Sequence, residues 1–362
     1  MPCQGVGRMR RAAALLCALM LLSAAALAGC GKGEGEKPRI VLTTGFADDE
    51  VFRVEDMSCT SSEVMVYLVN LHDQYESAFG SGIWDTKVGD STLEESIRQT
   101  VLARLAKIKM MNLLAAKYDI SLTREEEELA EAAAEEYFSG LTLPEIGAIG
   151  GIRKEDVARM YKEYALSEKV YEQLTADVNT EVSDDEARII AVEQIGLLTY
   201  TEDGEGVRTE KDTASKQRAL EKAERIKKRL DEGEEFSTLC VLYNEAPSDS
   251  AGIAAGQGSE AAAQACTNLA EGEISDIVET EDGYFIYRCV NTFDREQTTG
   301  RKDEIVRERK KAAFTAIYEA FAAEHSIYRN DGLWGSIGFE GSVDVHTANF
   351  FDVYEKYFVS TR

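Results

Sequence analysis

Histidine is scarce in this sequence, and its scarcity excludes several kinds of chemistry. Among 362 residues there are three histidines, His72, His325 and His346, and none stands at metal-ligand spacing from another. None lies between Ala187 and Val290. The sequence also contains no nucleophile elbow and no phosphate-binding loop. We therefore predict no bound metal, no cofactor and no Ser-His-Asp catalysis.

Positive charge is also in short supply. The sequence holds 40 Lys and Arg residues against 66 Asp and Glu residues, a formal net charge of −26. A protein that contacts nucleic acid needs a basic face for the phosphates. The composition therefore excludes nucleic acid as a partner. The acidic runs at 125–128 and 184–186 are typical of solvated helix starts, where negative charge is favourable.

Long apolar runs are absent after Cys30. Before it, a basic segment ends at Arg11 and an apolar run extends from Ala12 to Ala28, the pattern of a secretory signal. The segment ends Leu-Ala-Gly-Cys, which resembles the lipobox of bacterial lipoproteins. That resemblance implies cleavage before Cys30 and a lipid on its thiol. A single-pass anchor is the alternative, but an apolar run of about 17 residues is short for a membrane span.

The remaining cysteines suggest no metal site. They are Cys59, Cys240, Cys266 and Cys289, and their spacings match no zinc pattern. In an exported protein two of them could form a disulfide, but free buried thiols are equally compatible with the sequence. Both alternatives stay open.

The hydrophobic pattern changes twice along the chain and predicts two domains. It is helical from about Glu63 to Val178, mixed α+β from Asn179 onwards, and helical again after Gly300. The predicted segments are a signal peptide at 1–29, a tether at 30–50, a helical domain at 51–182, an α+β domain at 183–295, a helix returning to the helical domain at 296–328, and a tail at 329–362.

Two helix starts carry recognisable capping patterns. Ser91, with Glu94 three residues later, predicts the start of a long helix, and Thr123 before an acidic run predicts the start of the next. Both assignments use only residues within one helical turn.

A β-hairpin is predicted near the end of the α+β domain. The stretch GEISDIVETEDGYFIYRCV, from Gly272 to Val290, alternates in the strand pattern on both sides of Glu-Asp-Gly. In its second strand Tyr284 alternates with Phe285 and Tyr287. Core packing is the simplest interpretation of the aromatic Phe285.

Two stretches of the α+β domain resemble a known family. The segments RALEKAERIKKRLDEGEEFSTLCVLYNEAPSDSAG and LAEGEISDIVETEDGYFIYRCV resemble the parvulin-type (PpiC) peptidyl-prolyl isomerase domain. With the flanking helices and the lipobox, the chain resembles the PrsA/SurA group of exported foldases. The resemblance implies a SurA-like helical chaperone domain with an inserted parvulin-like α+β domain. It also implies unfolded or newly exported polypeptides as partners, and a lipid anchor on the outer face of the bacterial cytoplasmic membrane.

The resemblance also implies where an isomerase site would lie, and this sequence departs from the family there. The family has a histidine after Gly-Tyr, where this chain has Phe285, and another in the first strand, where it has Gln194. The family's Cys or Asp turn corresponds to Ile253, and the aromatic of its proline pocket to Ala262. Tyr284 and Tyr287 remain as candidates for lining a peptide groove.

Three functions remain as hypotheses. The first is a lipid-anchored folding factor that holds unfolded chains and has a degenerate parvulin domain. The second is an active isomerase with a nonstandard pocket, using Gln194, Tyr284 or Tyr287 as hydrogen-bonding groups. The third is a structural or solute-binding lipoprotein of the cell envelope. The sequence does not choose among oligomeric states.

Overall fold

The computed structural model describes residues 39–42, 45–204, 206–254, 258–339, 345 and 349–359. The predictions for the signal peptide, for Cys30 and for His346 fall outside these residues. The chain divides into two compact units: Met1–Asp177 with Ala312–Arg362, and Val178–Lys311. Both units contain helices and a four-stranded sheet, which confirms the predicted α+β class.

The described residues that precede the second unit form strands first and then mostly helices. Its strands are β1 (Arg39–Leu42), β2 (Glu50–Val54), β3 (Met57–Thr60), β4 (Lys87–Val88) and β5 (Ser91–Thr92). Its helices are α1 (Ser61–Phe79), α2 (Leu93–Lys117), α3 (Arg124–Gly140), α4 (Leu143–Ala148) and α5 (Lys154–Leu174), with a 3-10 turn at Ser81–Asp85.

The second unit is a sheet with helices inserted between its strands. Its strands are β6 (Ile189–Leu198), β7 (Tyr200–Glu202), β8 (Arg208–Glu210), β9 (Ser250–Ala254), β10 (Val278–Thr280) and β11 (Gly283–Asn291). Its helices are α6 (Asp184–Ala187), α7 (Thr213–Asp231), α8 (Phe236–Tyr243) and α9 (Glu260–Thr267). Helix α10 (Arg295–Ala322) begins here and ends in the residues of the first unit.

The chain end completes the first unit. It contributes β12 (Ser326–Arg329), α11 (Asp331–Ser336) and α12 (Phe350–Phe358). Phe350 is fully buried, and its ring stacks on that of Tyr161 with centroids 4.3 Å apart. The Tyr161 hydroxyl donates to the Phe350 carbonyl at 2.8 Å, and the Phe350 amide donates to the Asn70 side chain at 2.9 Å. The predicted tail segment therefore contributes to the core.

The sheet of the first unit was not predicted from the sequence. Its order is β1-β12-β2-β3, with β1 parallel to β12 and the other pairs antiparallel. Strand β1 lies within the segment 30–50 predicted as a tether. The pairing partner of β1 lies almost at the other end of the chain, so no local pattern could reveal it.

A group of charged side chains is buried in the first unit. Lys109 on α2 is 1 % exposed and donates to Glu63 on α1 at 2.8 Å and to Glu163 on α5 at 2.6 Å. The Arg159 guanidinium bonds the other Glu63 oxygen at 2.8 Å. These bonds neutralise the buried charges, which would otherwise be very costly.

The described cysteines are free thiols, and each is buried. Burial raises the pKa of Cys266 to about 11, and it also raises the pKa of Cys59. In the part of the chain that the structure describes, no helix has the length and apolar character needed to cross a bilayer.

Candidate functional site

The candidate site lies on one face of the sheet in the second unit. The sheet order is β10-β11-β6-β9, with all pairs antiparallel. Phe285 of β11 pairs with Gly196 of β6, and Tyr287 pairs with Gln194. Residues directly opposite each other in an antiparallel pair point to the same side. These four positions therefore share one face.

Phe285 fills the space above β6 on this face. Its side chain is 7 % exposed and packs among apolar neighbours that include Val278 and Cys289. A Cβ atom added to Gly196 would lie 2.5 Å from Phe285 Cε1, closer than real contacts allow. The ring can occupy this place only because position 196 is a glycine. The Phe285 ring also stacks on Tyr287 at a centroid distance of 5.9 Å.

The amide of Gln194 is engaged with the backbone of a neighbouring loop. Its Nε2 donates to the carbonyl of Ser248 at 3.1 Å, and its main-chain N–H donates to the Asp249 carbonyl at 2.8 Å. The Gln194 side chain thus links β6 to the chain just before β9.

Ile253 and Ala262 lie on the same side of the sheet. Ile253 of β9 pairs with Ile190 of β6 and packs against the apolar cluster that contains Phe285. Ala262 of α9 is buried in that cluster. The structure therefore brings Gln194, Ile253, Ala262 and Phe285 to one face, although they are far apart in sequence.

Tyr284 and Tyr287, the two candidates for lining a peptide groove, lie on opposite faces of the sheet. Tyr284 packs on the opposite face, against the cluster formed with α7 and α8, because residues three apart in a strand point to opposite sides. Tyr287 lies on the candidate face but is only 3 % exposed. Burial raises the pKa of its hydroxyl.

Two polar residues that sequence reasoning missed support this face. Asn244, directly after α8, accepts from the Gly196 amide at 2.8 Å through its side-chain oxygen. Ser275 is buried and its hydroxyl oxygen accepts from the Tyr287 amide at 2.9 Å. Both side chains therefore act as hydrogen-bond acceptors for main-chain amides. An asparagine at a helix end was the available signal for Asn244.

The comparison with protein families identifies this unit. Residues 197–291 match the family model described as Rotamase: PPIC-type PPIASE domain. The second unit carries a PPIC-type domain. The match confirms the resemblance predicted from the sequence and includes Ile253, Ala262 and Phe285, but it begins three residues after Gln194.

Several solved structures are similar to the chain as a whole. Peptidylprolyl isomerase PrsA from Bacillus cereus is 16 % identical, with a TM-score of 0.37, covering 89 % of this chain and 100 % of the other. PrsA from Bacillus subtilis is 16 % identical, with a TM-score of 0.25, covering 84 % and 99 %. A SurA-like chaperone structure from Campylobacter jejuni is 13 % identical, with a TM-score of 0.28, covering 78 % and 99 %. No curated protein sequence matches the chain.

Few side chains on the PPIC-type face could take part in prolyl isomerisation. Prolyl isomerisation needs an apolar pocket for the ring and polar groups that favour the twisted amide over the planar one. Here the Phe285 ring occupies the face, and the Gln194 amide bonds a backbone carbonyl. The titratable groups in the cluster, Tyr287, Cys266 and Cys289, all have a pKa raised by burial, so none exchanges protons readily near neutral pH.

Proposed function

We propose that this protein is a lipid-anchored extracytoplasmic folding factor that holds unfolded exported polypeptides, and that its PPIC-type domain does not catalyse prolyl isomerisation. The observation that carries the second part is the position of the Phe285 ring, buried over Gly196 where the family has a histidine. The holding role rests on the sequence resemblance to exported foldases.

The loss of catalysis follows from two changes that reinforce each other. An aromatic ring over a glycine removes both the polar group and the space that a polar network would use. Ala262 stands where the family has an aromatic pocket residue, which removes apolar contact with the prolyl ring, on the order of 2 kcal/mol for one fully buried side chain.

The decisive experiment measures prolyl cis/trans isomerisation by the chain from Gly31 to Arg362 on a panel of Xaa-Pro tetrapeptides. We expect no acceleration over the uncatalysed rate, together with suppressed aggregation of an unfolded client. An acidic protein of similar size without chaperone activity serves as the control for aggregation. Clear acceleration would show instead that the domain turns over with a nonstandard pocket.

Introducing the two family histidines tests whether their replacement alone accounts for the proposed loss of isomerase activity. We expect the double substitution Gln194→His and Phe285→His to gain little isomerase activity, because Ala262 still leaves the prolyl ring without an aromatic contact. A large gain would show that a competent pocket remains and that only the histidines are missing.

The lipid anchor needs a separate test. In cells supplied with labelled palmitate, the full-length chain should incorporate the label and fractionate with membranes. The Cys30→Ala variant should do neither. Label retained by that variant would place the lipid elsewhere and contradict this part of the proposal.

A further inference from the structure

A cavity in the first unit opens to solvent and is lined by residues outside the stretch 197–291 that matches the isomerase family. Its volume is about 590 Å³, within the range of ligand sites. It lies between the end of α2, the connection that follows it, and helices α3 and α5. Its floor is apolar and consists of Ile120, Leu122, Ala134, Ala158 and Leu166.

The cations on the rim of this cavity are already neutralised. Lys154 bonds Glu135 at 2.8 Å, and Lys162 bonds Glu131 at 2.8 Å. Arg159 bonds Glu63 and Asp156. Each positive group is therefore engaged by a carboxylate of the protein.

Several carboxylates on the rim are not neutralised in the same way. Glu127 and Glu155 are exposed, and neither forms a salt bridge with another residue in the described ranges. Glu163 is 12 % exposed; its Oε2 accepts from Lys109 at 2.6 Å, while its Oε1 is 4.0 Å from Arg159 Nε. The Oε1 atom of Glu163 is therefore held less closely than its Oε2.

The cavity thus combines an apolar floor with an excess of available negative charge. We propose that it binds an extended polypeptide segment in which a Lys or Arg side chain lies next to a large apolar side chain. The cation faces Glu127, Glu155 and Glu163, and the apolar side chain covers the floor between α3 and α5. This site rests on the proposed holding function and gives it a location and a client chemistry.

A small cation alone uses only half of this site. A metal ion or a polyamine would meet the carboxylates but leave the apolar floor in water, whereas an apolar side chain next to the cation buries that floor favourably. Among the described residues that line the cavity, each cation is paired with a carboxylate, which also disfavours acidic segments.

The test uses the chain from Gly31 to Arg362 and labelled peptides of the form Gly-Ser-Leu-X-Leu-Gly-Ser, with X as Lys, Gln or Glu. We expect the Lys peptide to bind about tenfold or more tightly than the Glu peptide, and to lose affinity when both leucines become serine. Glu127→Gln and Glu155→Gln should each weaken the Lys peptide roughly two- to fivefold, as for exposed ion pairs. Glu125 lies on α3, as Glu127 does, but outside the cavity. Glu125→Gln is therefore the matched control, and it should leave the affinity for the Lys peptide unchanged.

A second variant tests the apolar floor. Ala158→Phe fills the cavity and should abolish peptide binding, with circular dichroism and thermal unfolding used to verify that the variant folds. The inference is overturned if affinity does not depend on X, if the Glu127 and Glu155 variants bind as the parent does, or if spermidine alone competes as tightly as the peptide.

The holding function can survive that failure. If the chain suppresses aggregation while the peptides bind without regard to charge, the holding function stands and the cavity is not its site. If neither aggregation nor any peptide responds to the chain, the proposed function itself fails.

Discussion

The two units bury polar groups in different ways. In the first unit, full charges are buried: Lys109 lies between Glu63 and Glu163, each bonded through its side chain. In the second unit no charged side chain is buried among the described residues, and Ser275 and Thr298 contribute buried hydroxyls. Each of these accepts from a main-chain amide, that of Tyr287 or of Ile189.

This difference bears on where binding chemistry can reside. A charged network that reaches a cavity open to solvent can respond to a ligand, because Arg159 and Glu163 of this network line that cavity. The buried hydroxyls of Ser275 and Thr298 in the second unit already accept hydrogen bonds from main-chain amides. The sheet face that carries Phe285 is packed with apolar side chains, while the first unit holds charged groups beside a cavity with an apolar floor.

The largest expected effect comes from removing the central charge of the first unit. Lys109→Met removes the cation that bonds both Glu63 and Glu163 and leaves them only the half-exposed Arg159, which should cost about 3 kcal/mol of unfolding free energy. Urea unfolding followed by tryptophan fluorescence reports on this unit specifically, because both tryptophans, Trp84 and Trp334, belong to it.

Two controls accompany the Lys109 substitution. Lys117→Met, at the exposed end of the same helix, should have little effect. Adding Glu63→Gln and Glu163→Gln to Lys109→Met should recover part of the loss, because no net charge is then left buried. An unchanged midpoint for Lys109→Met alone would show that the network does not stabilise the unit.

The next effect breaks the packing of the PPIC-type face. Gly196→Ala places a Cβ atom 2.5 Å from Phe285 Cε1 and 2.9 Å from the Ala246 Cβ. We expect a loss of about 1–3 kcal/mol from overpacking. Hydrogen exchange of the amides of β6 and β11 measures this loss of stability as faster exchange in the variant. The control is Gly300→Ala, where no atom is within 4 Å and a helical alanine should be neutral or stabilising.

A double substitution tests the coupling between the glycine and the ring. With Phe285→Ala already in place, Gly196→Ala should cost much less than it does in the parent protein, because the clashing ring is gone. If the two effects simply add, the ring does not require the glycine, and our account of the face is wrong.

A smaller effect is expected from a buried hydroxyl of the second unit. Ser275→Ala leaves the Tyr287 amide without its acceptor, which should cost about 1–2 kcal/mol. Exchange of the Tyr287 amide should accelerate more than that of Ile286, whose amide does not use Ser275. Equal protection in the variant and the parent would show that another group, such as water, takes over.

The smallest effect is a pH dependence in the first unit. Burial acts to raise the pKa of Asp156, but bonds from Arg153 and Arg159 outweigh it, and the pKa is lowered. A lowered folded-state pKa means that the stabilisation is present above the unfolded-state pKa and is lost as pH falls through the folded value. Asp156→Asn should therefore be about 0.5–1 kcal/mol less stable than the parent at pH 7, and the difference should vanish in acid. A difference that persisted below both pKa values would assign the effect to packing.

Helix starts show how far local signals reach. Thr123 caps α3 as predicted, in a capping box in which its hydroxyl oxygen accepts from the Glu126 amide at 3.2 Å. The prediction for α2 was one residue early: the cap is Thr92, with the Glu95 amide bonded to it at 3.2 Å. The sequence offers two overlapping capping patterns there, and Ser91 pairs with Val88 in a short ribbon instead.

The candidate site was partly predictable. The family resemblance led to Gln194, Ile253, Ala262 and Phe285, and the alternation of the strand already separated Tyr284 from Phe285 and Tyr287. The dependence of the Phe285 ring on Gly196 could not be predicted, because it depends on the register between β6 and β11. Strand β9 also escaped notice, since its small and polar residues carry almost no strand signal.

The sequence by itself determined the long helices, the starts of α2 and α3 to within a residue, and the hairpin that carries Phe285. These features depend on interactions between residues a few positions apart. Such local interactions form whatever the tertiary fold of the chain. Only the tertiary structure decided the pairing of β1 with β12, the burial of Lys109 between two carboxylates, and the cavity beside α5. Those depend on which distant segments can bury each other's apolar surface and neutralise each other's charges, and that is decided by the whole fold.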